Sequence, residues 1–308
     1  MGRLLLIAAV MLAALLPSSA APPPDGAGEA GAGSERETDE AGGTETLDAG
    51  GDTLELRLER VSLALLGRPY RLGPLGEGAP PDTDPRFRLD AFDCTTYVET
   101  VLALGLAGSR GDAASVDEAA SVDEVVARRW LDSIRYSAAE PRYEARRHLI
   151  DSQWIPELVE QGLVRDVTRA IGGRATRTAS IRLRRDSWER SALAADLALG
   201  WEAVPAGRHQ LDYLPWHLLG RESVRSALPA TAILNLVAGP DPGLPTLVTH
   251  QGLLFRRPDG ALVVRHASSR HRRVVEEAFD DFLASARARR NRLMLGVNVL
   301  AVEPAPGE

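Results

Sequence analysis

Residues 88–101, RLDAFDCTTYVETV, constrain this chain more than any other stretch, because they set the single cysteine of 308 residues at the predicted start of a helix. Upstream, RFRLDAF alternates apolar and polar residues as a short strand does. From Thr95 onward, Tyr97, Val98, Val101, Leu102 and Leu104 mostly follow helical spacing, and Asp93 is the natural N-cap. A thiol in a first helical turn meets unpaired backbone N–H groups and the positive end of the helix dipole, and both favour thiolate. Cys94 is therefore a candidate nucleophile. A free cysteine is also commonly a small buried hydrophobe, so this position by itself leaves both roles open.

The chain opens on MGRLLLIAAVMLAALLPSSA, with a basic Arg3, an apolar run over 4–16, and small residues Ser18 and Ala20 where a signal peptidase cuts. Residues 1–20 are expected to be a cleaved signal peptide, which makes the protein exported, with the periplasm as its compartment. The run is too short for a comfortable membrane span and no later segment is apolar enough to be one, so no stable membrane insertion is expected after cleavage. Residues 21–52 are Pro, Gly, Ala, Ser, Thr and acid, with Leu47 as the one branched aliphatic residue. Such a segment cannot bury enough surface to order itself and reads as a disordered acidic Pro/Gly linker. The remainder, 53–308, suits one compact domain.

One cysteine rules out an internal disulfide, and an idle thiol in an oxidising compartment is a liability, which favours a use for Cys94. The net charge of −7 gives no reason to expect a nucleic-acid partner. All 36 basic residues are arginine, and they are spread over the whole chain rather than gathered into a patch.

Along the domain, Leu54, Leu58, Val61, Leu65 and Leu66 predict a packing helix that stops at Gly67. A Gly- and Pro-rich loop follows, in which Tyr70 stands behind Pro69 either as packing or with its hydroxyl aimed at an active site. The Cys94 helix should end near 105–108, and a further helix should restart at Ser121, with Glu124 in capping-box spacing. Residues 141–162 read as helical with a break around Pro156, and Trp154 and Ile155 as core or groove wall. The arginine-rich stretch 164–201 has no clear periodicity. From 227 the chain reads as strands over 227–239, 247–257 and 261–269, a helix over 276–290 and a last strand over 294–302. The layout is α+β, helices first and then an antiparallel sheet.

His250 and His266 fall on the two strands that flank the tight turn Pro258-Asp259-Gly260, and pairing about that turn brings them within one pair of facing positions. A thiolate nucleophile needs an imidazole to take and return its proton, and that imidazole needs a polar group to fix its tautomer. Cys94, His250 and His266 supply nucleophile, base and orienter. A lone strand histidine is ordinarily structural, and His148, His209, His217 and His271 are read so. Two histidines could also share a metal, yet no Cys or acid lies at ligand spacing near either, so neither metal nor cofactor is expected. No GxSxG elbow offers a serine instead.

FDCTTYVETVLAL, preceded by GRPYRLGPLG and followed by THQGLLFRRPDG and VVRHASS, resembles the N-acetylmuramoyl-L-alanine amidase-like branch of the NlpC-type cell-wall cysteine hydrolases. The resemblance implies a papain-like NlpC-type fold with helices on an antiparallel sheet and the cysteine at a helix N-terminus. It implies Cys94 as nucleophile, His250 as base and His266 as orienter, with Tyr70 and Asp93 lining the reacting end of the cleft. Residues 134–168 resemble the region that shapes the cleft in that branch, which makes Trp154 a candidate wall and Arg135 and Arg146 candidates to pair with stem-peptide carboxylates. The expected activity is hydrolysis of the N-acetylmuramoyl-L-alanine amide bond of peptidoglycan fragments. A stem-peptide endopeptidase with the same triad, and an inactive wall-fragment binding module, are the alternatives.

Overall fold

The computed structural model describes residues 53–108, 124–138, 140–241, 243–289 and 292–304. The expected signal peptide, the linker and the Ser121 cap lie outside them. Helix α1 (Leu54–Ala64) is capped by the Thr53 side chain and buries Leu54, Leu58 and Val61 against α2 (Cys94–Ala107). At the head of α2, Asp93 accepts the Thr96 N–H at 2.8 Å and donates its own N–H to the Thr96 hydroxyl at 2.9 Å, a reciprocal capping box. Every residue of α2 except Thr95 and Ala107 is buried. Helices hydrophobic all round belong inside a core, and α2 has α1, α3 (Glu124–Arg135) and the sheet packed around it.

The sheet has eight strands among the described residues: β1 (Val164–Asp166), β2 (Arg177–Leu183), β3 (Gly207–Pro215), β4 (Thr231–Ala238), β5 (Val248–Arg256), β6 (Leu262–Ser268), β7 (Arg273–Ala278) and β8 (Met294–Val302). Their spatial order is β2-β3-β8-β4-β5-β6-β7, with β1 paired to β8, and the pairings are antiparallel. One face carries Ile233, Val237, Leu253 and Phe255 against α1, α2 and α3; the other carries Leu234, Leu236, Leu254 and Val264 under α5 (Phe279–Arg287). Strand β4 is buried along its whole length because both faces are covered. The α+β class expected from the sequence holds.

Three local expectations are corrected, and one unassigned stretch is resolved. RFRLDAF forms no strand; only Phe92 bridges to Tyr70, and Arg88 pairs with Asp90. Residues 150–160 are a π-helical turn (Ile150–Trp154) running into α4 (Ile155–Glu160), and Pro156 starts the α-helix rather than breaking it. A proline is tolerated there because first-turn N–H groups have no intrahelical acceptor. Glu276 and Glu277 belong to β7, not to the helix that follows, which begins at Phe279. The arginine-rich stretch holds β1 and β2 and buries Trp188, whose indole donates to Leu199 O at 3.0 Å.

Candidate active site

The β5–β6 hairpin sets Leu253 opposite Arg265 and Phe255 opposite Val263, so His266 falls opposite Gly252 and diagonal to His250. Diagonal neighbours on one face are within reach of long side chains. His250 Nε2 lies 2.8 Å from His266 Nδ1, with the rings near perpendicular, and Phe282 of α5 packs against both. The approach depends on Gly252, where a Cβ would stand 2.9 Å from Val264 Cγ1 and 3.2 Å from His266 Cβ. Gly252→Ala is therefore expected to displace His266 and to cost about 1–3 kcal/mol of stability. Thermal denaturation together with the rate constant checks this, and an unchanged rate would show that the hairpin has room to spare.

The chain of hydrogen bonds continues on β7. His266 Nε2 lies 2.7 Å from Glu277 Oε2, and this bond holds the Glu277 carboxyl below the usual carboxylate range. Burial keeps both imidazoles below their ordinary pKa, His250 well below, so both are neutral. A carboxylate only accepts, so His266 Nε2 carries the proton and donates it; His266 Nδ1 is then a lone pair that must accept from His250 Nε2–H. One lone pair is left, on His250 Nδ1. That atom is buried and has no hydrogen-bond partner among the described residues.

Cys94 is 4% exposed, and its thiol faces the backbone N–H of Gln251, the residue after His250, and the Thr95 hydroxyl. Burial, followed by the nearby Asp93 carboxylate, pushes the thiol up to about 12. Desolvation thus outweighs the thiolate-favouring helix end in this state, and the resting pair is thiol and neutral imidazole. Because the thiolate fraction falls about tenfold per pH unit below the pKa, alkylation of Cys94 by iodoacetamide is expected to be much slower than that of free cysteine at neutral pH and to climb only in alkali. A labelling midpoint at or below that of a free thiol would contradict this burial effect.

Around Cys94 stand two further groups. Tyr70 is held between the start of β7 and Phe92, with its N–H donating to Arg272 O at 2.9 Å, and its buried hydroxyl has no partner among the described residues. Burial, then the charges of Cys94 and Asp93, raise its pKa. Arg289, half-buried just past α5, brings a positive charge within electrostatic reach of Cys94, Tyr70 and Glu277, and that charge helps to lower both histidines.

The other expected site residues all have partners within the chain. Asp93 is committed to the helix cap and, through Oδ2, to Gly73 N–H at 2.9 Å, so it braces the loop of Tyr70. Arg135 is buried in an ion pair with Glu99 and donates to Leu75 O at 3.2 Å; the Trp154 indole donates to the other Glu99 oxygen at 3.1 Å. Arg146 is bound to both oxygens of Glu77, at 2.7 and 2.6 Å, and to Asp82 at 2.8 Å. Buried charges are held by partners of opposite sign, and these three side chains anchor α2, α3 and the intervening loops instead of offering donors to a ligand. His148 bonds Tyr143 O and His209 bonds Pro205 O, each at 2.7 Å, as structural histidines do. His271 touches the edge of the cluster, 3.3 Å from Glu277 Oε1. Among the described residues, no group of three His, Cys, Asp or Glu side chains is arranged to hold a metal ion, and no helix is long and apolar enough to cross a membrane.

Sequence reasoning missed Glu277 and Arg289. For Glu277 the signal was present, since RVVEEA carries a β-branched pair suited to a strand returning on β6. For Arg289 there was none in so arginine-rich a chain.

The class of protein is thus a mixed α+β fold with an antiparallel sheet, bearing a thiol, two linked imidazoles and a carboxylate. The chain belongs to the AmiA-like, N-acetylmuramoyl-L-alanine amidase-like family, whose model matches residues 60–289. Its fold is similar to that of a protein from Legionella pneumophila, at 24% identity over 82% of this chain and 89% of that one, with a TM-score of 0.66. It is also similar to an N-acetylmuramoyl-L-alanine amidase from Bacteroides uniformis, at 22% identity over 81% of this chain and 99% of that one, with a TM-score of 0.58. No curated protein matches the sequence.

Proposed function

We propose that this protein is an exported, periplasmic cysteine amidase of the NlpC-type, papain-like group, hydrolysing the amide between N-acetylmuramic acid and L-alanine in peptidoglycan fragments. Family membership supports the amidase chemistry. The observation that carries the cysteine mechanism is the ordered chain from Glu277 through His266 to His250, which ends in a free lone pair on the strand beside Cys94.

In this mechanism His250 Nδ1 takes the thiol proton as Sγ attacks the lactyl carbonyl carbon, a transfer that needs no preformed thiolate. Catalytic hydrogen bonds are often long before substrate binds and close in the Michaelis complex. The proton on His250 then passes to the departing amine of alanine as the C–N bond breaks, leaving a thioester. Water, deprotonated by the same nitrogen, attacks the thioester carbon, and the thiol and the muramic-acid carboxylate are released. The imidazolium formed twice in this cycle is stabilised through His266 by the Glu277 charge.

Mass spectrometry of muropeptides incubated with the protein tests the reading. The expected products are free sugar and an intact peptide beginning with alanine. Shortened peptides from a sugar-free stem would instead make the protein a stem endopeptidase with the same triad.

A further inference from the structure

The proposed base sits where β5 is held least by its neighbours. The β5–β6 ladder stops at Leu253, opposite Arg265, so Gly252, Gln251 and His250 have no paired residue on that side. On the β4 side, His250 faces Leu236 and Val248 faces Val237, a bulge that leaves Thr249 unpaired. A bulge disrupts the ladder and bends the strand. Across the same stretch runs a row of three amides. Gln251 lies opposite Asn235, and Asn235 lies opposite Asn298 on β8. Gln251 Nε2 donates to Asn235 Oδ1 at 2.8 Å, and Asn235 Nδ2 donates to Asn298 Oδ1 at 2.9 Å. The row is anchored where Asn298 Nδ2 donates to Asp166 Oδ2 at 2.8 Å, Thr168 Oγ1 at 3.0 Å and Asp212 O at 3.1 Å. A carboxylate and a main-chain carbonyl only accept, so the direction of every amide in the row is fixed from that end.

All three amides are 0% exposed, on the face that otherwise carries Ile233, Val237 and Leu253 beneath α2. Stability does not account for them. Gln251 Oε1 is buried with no partner among the described residues, and an apolar side chain of the same size would avoid that penalty. What such a row supplies is position, because a fixed hydrogen-bond network specifies one arrangement of the strands that bear it. Gln251 adjoins His250 in the chain, and its own main-chain N–H faces the Cys94 thiol. We propose that Gln251 is a positioning residue: through Asn235 and Asn298 it ties the bulged end of β5 to β4 and β8, and so holds the His250 ring and the Gln251 N–H in place for Cys94. This rests on the cysteine amidase reading above.

The test compares Gln251→Met with a triple variant that combines Gln251→Met, Asn235→Leu and Asn298→Leu. The single change leaves Asn235 Oδ1 buried without a donor and should lower the melting temperature. The triple change removes the amides together and should regain most of the parent's stability, as exchange of both partners for apolar groups of similar shape does. In both, kcat on muropeptides should fall roughly 10- to 100-fold, the scale of a displacement of about 1 Å at a catalytic group. KM should hold, because a fully buried side chain touches no substrate. A merely structural role would have the triple variant recover its rate along with its stability. The second readout needs no turnover: at a fixed alkaline pH, iodoacetamide should label Cys94 roughly three- to tenfold more slowly in both variants, the effect of one hydrogen bond lost to the thiolate. Simple loosening of the site would expose the thiol and speed the labelling instead. Parent-like kcat in either variant, or labelling no slower than the parent's, overturns the assignment. Should the triple variant not fold, Gln251→Met assayed below its melting temperature decides by the same two readouts. If the parent itself cleaves no muropeptide, the amidase reading fails, and labelling alone decides the role of Gln251.

Discussion

Cys94→Ala is expected to abolish hydrolysis of muropeptides while leaving the fold in place, and His250→Ala to do nearly the same. Removing a nucleophile or its base from a unit that acts together costs on the order of 10⁴-fold or more in kcat, and the two losses do not add. The double variant should therefore be no worse than the weaker single one. Cys94 is a small side chain, and its replacement leaves the Asp93–Thr96 cap untouched. His250 packs beside Phe282 and donates to His266, so its loss removes one buried bond and some contact, which is felt as destabilisation of about 1–3 kcal/mol. Circular dichroism and a melting curve separate this from the catalytic loss. Turnover in Cys94→Ala above roughly one-hundredth of the parent rate would reject the cysteine mechanism, since no such remainder follows from binding alone.

How far the sequence foretold the structure depended on the range over which each signal acts. The head of α2 is legible because Asp93, Thr96 and the apolar positions after them are local. The two histidines are legible because a tight turn fixes the register of neighbouring strands, and the observed pairing of Leu253 with Arg265 is within one step of the expected one. The ion pairs of Arg135 and Arg146 were illegible for the opposite reason. Their partners Glu99, Glu77 and Asp82 lie 36, 69 and 64 positions away, and nothing local distinguishes a paired buried arginine from a solvated one. The effect of burial on Cys94 was equally out of reach. The helix end that favours a thiolate is a local feature, whereas the packing that disfavours it comes from elements distant in sequence. Glu277 was hidden by a boundary, because an acidic pair before Phe279 reads as a first helical turn, and only the pairing of Val274 and Val275 with Ala267 and His266 turns it into a strand end.

Glu277→Gln tests the most specific consequence of that strand. With the carboxylate in place, both protons in the chain point away from Cys94 and the base nitrogen is free. A carboxamide can present its NH₂ group to His266 Nε2 instead, which then accepts. His266 Nδ1 would carry the proton, His250 Nε2 would accept it, and the remaining His250 proton would sit on Nδ1, where the thiol proton has to go. Substituting the orienting carboxylate of a serine protease triad in this manner costs about 10⁴-fold. Here the carboxylate acts through a second imidazole, and a glutamine can still turn its carbonyl to His266, so a loss of roughly 10- to 100-fold in kcat is expected. KM should hold, since Glu277 is occupied by the two histidines rather than by substrate. Glu277→Asp, which keeps the charge and acceptor-only character, should recover part of the rate if its shorter arm still reaches. The decisive readout is the tautomer itself: nitrogen NMR of His250 should show an unprotonated Nδ1 in the parent and a protonated fraction in Glu277→Gln. A kcat within twofold of the parent, together with an unshifted His250 spectrum, would remove Glu277 from the relay and leave the two histidines to set the tautomer alone.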